Sequence, residues 1–346
     1  MSAMMDVERP VASSSSSSSS SSKVESNLPW VEKYRPDSLE EMKGHEEIIT
    51  VLNKLIDSSK LPHLLFYGPP GTGKTSTIVA CAKKMYGPNY KSMALELNAS
   101  DDRGIDVVRD QIKNFAGTRK LFSTGVKLVI LDEADAMTTD AQAALRRIIE
   151  KYTSNTRFCM ICNYVNKIMP ALQSRCTKFR FAPLKTEQIV DRLDEVVVKE
   201  NINITPKGKE AILGQACGDM RRVLNLLQSA HVAYPEIDEE QVYLCAGAAM
   251  PTVIEALLKS LLNDDFDTAY KNVMNATTEL GYALVDITTS LSERVLGLSF
   301  PARVHAHLLD KLSNVEYAMS HGVNEKLQVG AMVGCFFVAR AMMSQK

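Results

Sequence analysis

The sequence lacks a surplus of either charge: 40 Lys and Arg stand against 41 Asp and Glu, a net charge of −1. Overall charge therefore does not draw the chain to nucleic acid, and any such contact has to come from a local basic face. No compact basic run of the kind that marks nuclear import is present. Also missing is any stretch of about 18 consecutive apolar residues, and the N-terminus has no apolar leader core, so neither membrane spanning nor secretion is predicted. The seven cysteines are odd in number and scattered through apolar segments. That excludes a disulfide framework and predicts reduced thiols in a soluble, intracellular protein. Cys159 and Cys162 form a C-x-x-C inside an apolar run, but no second Cys or His pair lies at zinc spacing, so core packing is expected.

What is present is an ordinary globular composition, 45% hydrophobic and 23% charged, able to bury a proper core. The 346 residues exceed the roughly 250 to 300 at which one core tends to split, which predicts two or three domains. Residues 1–26 carry an unbroken serine run from Ser13 to Ser22 and read as a disordered tail. Five short apolar runs then alternate with helical patterns: His63–Tyr67, Ala94–Leu97, Val126–Leu131, Phe158–Cys162 and Lys178–Phe181. Strands separated by helices predict βαβ units and a mainly parallel sheet in a domain spanning 27–182. After Pro183 only helices are expected: 186–200, about 206–214, 220–233 and about 239–245 in a small domain to residue 248, then about five more over 249–346.

The run Gly68-Pro69-Pro70-Gly71-Thr72-Gly73-Lys74-Thr75 matches G-x-x-x-x-G-K-[ST], placed after a strand and before a helix, and Ser76 follows it. Glycines let the backbone close around phosphates so that N–H groups and the helix N-terminus point at them, while Lys74 reaches the β and γ phosphates. Thr75 offers a hydroxyl to Mg²⁺. Asp132 and Glu133 end an apolar strand, where parallel sheets bind ligands. Asp132 is expected to complete the Mg²⁺ shell and Glu133 to orient or deprotonate water, which favours hydrolysis of ATP over mere binding. The letters of Asp132–Asp135 also occur in RNA helicases, but this chain offers one nucleotide-binding core where a helicase needs two. Asn163 ends the next strand and could sense the γ-phosphate, or be an ordinary strand-end turn residue. Arg221 opens a helix, where a cation opposes the helix dipole; it reads either as a phosphate partner or as a solvated arginine.

These residues together resemble the small subunits of replication factor C, a sliding-clamp loader. The resemblance also rests on Trp30-Val31-Glu32-Lys33-Tyr34-Arg35-Pro36, Asn98 to Gly104, Ser174-Arg175-Cys176 and Gly218 to Arg222, in order and spacing. The wording of Asn27–Pro36 and Leu172–Thr177 is most similar to one paralogous branch. The resemblance implies an α/β AAA+ P-loop domain with a parallel sheet, a small helical lid domain and an all-α C-terminal collar. It implies an ATPase, weak in isolation, with ATP and Mg²⁺ as cofactors and Trp30, Val31, Tyr34, Arg35 and Pro36 beside the nucleotide. Arg175 would act in trans in a neighbour's ATP site, the alternative being an intramolecular salt bridge. The implied partners are sibling subunits in a hetero-pentamer, the sliding clamp and primer-template DNA bound without sequence preference, in the nucleus. Arg103, Arg109 and Lys113 would follow DNA phosphates; the bland alternative is a charged face balanced by Asp106 and Asp110. A rival function is a scaffold that binds nucleotide without hydrolysing it and serves to donate Arg175. A protein remodeller is a second rival, but no aromatic pore loop is found.

Overall fold

The computed structural model describes residues 28–99, 105–117 and 125–344, with backbone alone for 105–109. The serine run and Ser100–Gly104 lie outside them. All five expected strands form: β1 Leu64–Tyr67, β2 Ala94–Asn98, β3 Lys127–Asp132, β4 Thr156–Cys162 and β5 Thr177–Arg180. They build one parallel sheet in the order β2-β3-β4-β1-β5. The central strands read as continuous apolar runs because a parallel sheet is covered on both faces.

Strand period divides those runs between two cores. Leu64, Phe66, Leu128, Ile130, Cys159 and Ile161 face one side, where Leu52, Ile78, Cys81 and Ala82 of the helices Glu46–Asp57 and Lys74–Tyr86 meet them. Leu65, Val129, Leu131, Phe158, Met160 and Cys162 face the other, against Ile112 of Ile105–Gly117 and Leu145 and Ile149 of Thr139–Tyr152. Cys159 and Cys162 therefore lie on opposite faces and cannot chelate one ion. Both are buried, and burial pushes the Cys162 thiol up to about 12 and Cys159 well above its usual value. Among the described residues no group of three or more His, Cys, Asp or Glu converges as a metal cage.

His63 precedes β1 and joins it to β4. Its Nδ1 accepts the Phe158 amide at 3.2 Å, and Nε2 lies 3.4 Å from Thr153 Oγ1. Burial, helped by the Arg157 guanidinium, pulls its pKa from 6.5 to about 4. The native state thus favours neutral imidazole, and this contribution is complete above the unfolded value and lost as pH falls through 6.5 towards 4. At about pH 5 the loss is on the order of 2 kcal/mol. Urea unfolding followed by the sole tryptophan, buried Trp30, should lose that much more stability between about pH 7.5 and pH 5 in the wild type than in His63→Gln. Parallel pH profiles would contradict the assignment.

The chain divides into two compact units. The first contains the sheet and runs to Lys199, with Ala216–Asn225 added; the second holds Glu200–Gln215 and the chain from Leu226. In the second, the helix Glu239–Ala246 opens on a capping box between Asp238 and Gln241. Five helices follow, Pro251–Asn263, Phe266–Thr278, Leu284–Gly297, Ala302–Ser320 and Glu325–Ser344. They share one core that includes Leu261, Val273, Ile287, Leu291, Leu308 and Phe336. The last helix is long and apolar enough to cross a membrane by length and composition. Here it buries Val329, Met332, Val333, Phe336 and Ala339 in that core, while Leu327, Phe337 and Val338 are exposed.

Candidate functional site

Register brings the site together. Tyr67 pairs with Cys162 and Asn98 with Asp132, so the residues leaving β1, β3 and β4 emerge side by side at the carboxyl edge of the sheet. There Lys74, first in its helix and buried, donates from Nζ to Gly68 O at 2.7 Å, Pro69 O at 2.7 Å and Asn163 Oδ1 at 3.0 Å. Burial pulls its ammonium below the usual lysine range, with Asp132 opposing that shift. A dehydrated cation held by neutral oxygens is a strong anion site, because phosphate oxygens satisfy it better than carbonyls. Asn163 is thereby joined to the phosphate loop. Asp135 Oδ2 accepts the Asn163 and Tyr164 amides at 3.2 and 3.1 Å, which fixes the turn that presents the Asn163 side chain.

Thr75 Oγ1 donates to Asp132 Oδ2 at 2.7 Å. This hydroxyl–carboxylate pair fits Mg²⁺, which takes hard oxygens, keeps several waters and completes its octahedron with substrate phosphates rather than a protein cage. Glu133 follows with φ at 53°, in the left-handed region, and Asp132 Oδ1 accepts its amide at 2.9 Å. A non-glycine residue held there costs about 1 to 3 kcal/mol, and such strain collects at functional sites.

Lys74, Thr75, Asp132, Glu133 and Asn163 line a cleft of about 400 Å³. Val31, Tyr34, Arg35, Pro36, Pro70, Gly71, Thr72, Gly73, Ser76 and Arg221 also line it. Trp30 does not: it is buried behind the wall, edge-on to Tyr34 at 6.4 Å. Gly68 and Pro69 serve through their carbonyls. Arg221 stands at a capped helix start, where Asp219 Oδ1 accepts its amide at 2.8 Å and offsets the unfavourable dipole. Glu41, Met42, Gln188, Arg192 and Leu224 are among the further wall residues that sequence reasoning missed. Arg192 donates to Tyr34 O at 2.9 Å and to Glu195 at 2.6 Å, tying the helix Thr186–Lys199 to the segment around Tyr34. Its only sequence signal is a charge on an otherwise amphipathic helix.

Two glycines in the loop have no substitute. At Gly68, φ is 145° and a Cβ would meet Phe181 O at 2.0 Å; at Gly71, φ is 67° and it would meet Asp219 Oδ1 at 1.6 Å. Phe181 donates its amide to Tyr67 O at 2.8 Å, so that backbone cannot retreat without breaking the sheet edge. Gly68→Ala should cost at least about 3 kcal/mol and lower the Trp30-detected melting temperature by about 10 °C. An unchanged melting temperature would contradict the backbone account.

Arg175 lies elsewhere, outside this cleft. Its Nη1 donates to Ala171 O at 2.6 Å and its Nη2 to Glu150 Oε1 at 2.5 Å. Lys113 pairs with Asp110 at 3.3 Å on the surface, as the balanced-face alternative supposes; exposed pairs of this kind are worth at most about 1 kcal/mol and exchange readily. The Arg109 side chain and Arg103 fall outside the described residues.

Two family models match. Residues 64–184 match the ATPase family associated with various cellular activities (AAA), and 249–335 the replication factor C C-terminal domain. Replication factor C subunit 3 of Schizosaccharomyces pombe is 52% identical over 329 residues, covering 95% of this chain and 93% of that protein. Replication factor C subunit 5 of Homo sapiens is 51% identical over 340 residues, covering 98% and 97%. The chain belongs to the replication factor C subunit family. Within the family it is similar to the branch numbered 3 in yeast and 5 in human, the one its N-terminal wording resembles, and Saccharomyces cerevisiae subunit 3 is 52% identical over 314 residues, 89% of this chain and 92% of that protein. A RuvB point mutant of Thermotoga maritima, 14% identical with a TM-score of 0.50 over 75% of this chain and 91% of that one, shares the fold alone. With an AAA domain and this ancestry, this family member is a nucleotide-binding ATPase subunit.

Proposed function

We propose that this chain is an ATP-binding and ATP-hydrolysing subunit of a hetero-pentameric clamp loader that opens a sliding clamp and places it on primer-template DNA in the nucleus. The observation that carries the nucleotide half is the convergence of Lys74, Thr75, Asp132 and Asn163 at one edge of the sheet. The domain division at residues 26, 182 and 248, with the last part as an oligomerisation collar, belongs to the same proposal.

In this reading the loop from Gly68 to Thr75, with Ser76, holds the phosphates through backbone N–H groups, and Lys74 shifts from carbonyl oxygens to phosphate oxygens. Val31, Tyr34, Arg35 and Pro36 border the base and sugar. Thr75 and Asp132 would hold Mg²⁺, which when bound neutralises charge building on the phosphates. Glu133 orients the attacking water and takes its proton, while Asn163 and Arg221 contact the γ-phosphate, Arg221 from the lid. Arg175 reaches into a neighbouring subunit's site, where an arginine finger is worth about 10³ to 10⁵ in rate. Arg103, Arg109 and Lys113 follow DNA phosphates, a contact without sequence preference and weakened by salt.

ATP drives such a machine only by binding the DNA-gripping state more tightly than the released state. The test is clamp retention on primed circular DNA by the reconstituted assembly. ATP should give free, closed clamps on DNA; a non-hydrolysable analogue should give a stalled complex of loader, clamp and DNA. Equal clamp release with the analogue would refute the proposed cycle.

A further inference from the structure

Arg175 does not stand alone. Glu150 Oε1, near the end of the helix Thr139–Tyr152, accepts from Arg175 Nη2 at 2.5 Å and from Arg146 Nε at 3.1 Å. Ala171 O takes Arg175 Nη1 at 2.6 Å. These two contacts use one N–H from each terminal nitrogen. A guanidinium has five, so three remain for an external anion. The side chain is about one-third exposed, at 33%. Arg146 and Arg175 hold the Glu150 carboxyl below the usual carboxylate range. A charged fork held at two points also loses less side-chain freedom on engaging an oxyanion than a freely rotating arginine.

We propose that Glu150 is a positioning residue: it holds the Arg175 guanidinium in the orientation from which its remaining N–H groups meet the γ-phosphate in the neighbouring subunit. This rests on the reading of Arg175 as an in-trans arginine. It predicts a residue that touches no nucleotide yet changes the turnover of a site in another chain. Misplacing a transition-state contact by about 1 Å costs up to about a hundredfold, and one anchor, Ala171 O, survives loss of Glu150, so a smaller effect is expected.

The experiment uses full pentamers in which the phosphate-loop lysine is intact only in the neighbour that receives Arg175, so that its hydrolysis alone is read. Glu150→Ala should lower kcat about tenfold with KM for ATP nearly unchanged. Glu150→Gln, which keeps the acceptor oxygen, should fall between it and the wild type. Arg175→Ala in the same background should lose about 10³ or more. The melting temperature of the isolated Glu150→Ala chain and its entry into the pentamer should match the wild type, since an exposed ion pair contributes little stability. A kcat within about twofold of wild type for Glu150→Ala beside a collapsed Arg175→Ala overturns the positioning role and leaves the trans arginine standing. A faster Glu150→Ala also overturns it, making the ion pair a brake. Normal turnover in Arg175→Ala overturns the trans arginine itself, and the proposal with it.

Discussion

Glu133→Gln should lower the single-turnover rate of ATP hydrolysis at this subunit about 10³-fold while leaving ATP affinity within about threefold. The strand β3 ends at Asp132, whose two oxygens are already committed, Oδ2 to the Thr75 hydroxyl and Oδ1 to the Glu133 amide. The carboxylate one residue on lines the cleft without belonging to that pair. It is carried on a left-handed residue, φ 53°, a conformation the fold maintains against its cost. Glutamine is nearly isosteric and keeps a hydrogen-bonding oxygen, so binding should survive, but an amide cannot take a proton from water. Rapid-quench measurements on pentamers carrying the change in this chain alone are the check. An equal fall in affinity would mean that Glu133 acts as part of the metal shell instead.

Lys74→Ala should weaken ATP binding at least about 100-fold, the largest binding effect expected of any single residue here. Its ammonium is buried and its pKa depressed by that burial. Its contacts are two loop carbonyls and one amide oxygen, none of which neutralises a charge. Charge-assisted hydrogen bonds to phosphate in such surroundings run well above the neutral kind, about 1.5 to 3 kcal/mol each. Loss of two gives the hundredfold or more stated. Titration of the isolated chain with a fluorescent ATP analogue measures it. A Kd within about fivefold of wild type would mean that the backbone N–H groups carry the phosphates without the lysine.

How much of this was legible in the sequence follows from how local each signal is. The strands could be read because a doubly covered parallel sheet leaves unbroken apolar runs, and β1 to β5 fall within a residue or two of those runs. The phosphate loop could be read because its glycines and lysine act within eight consecutive residues. Asn163 could not be decided, since its meaning depends on β4 lying beside β1, a pairing no local pattern encodes. The contacts of Arg192 and Asp219 could not be read for the same reason, although Asp219 lies in a quoted motif: one is defined by the Tyr34 carbonyl 158 positions away, the other by how closely it approaches the bare Cα of Gly71. Trp30, expected at the nucleotide, sits behind the wall because a large ring buries more apolar area there than it could beside phosphates. The Arg175–Glu150 pair joins residues 25 positions apart, beyond the reach of helical spacing.

The proposed site is built by this chain's own residues and completed by its assembly. This is tested most directly by steady-state ATP turnover of the chain alone, then in the pentamer with clamp and primed DNA, each beside its Glu133→Gln counterpart. Slow turnover alone, a rise of at least about tenfold in the full assembly, and loss of this subunit's share in the variant are expected. Turnover that is equal in wild-type and Glu133→Gln assemblies, with ATP still bound at this chain, would contradict it and make the subunit a nucleotide-holding scaffold.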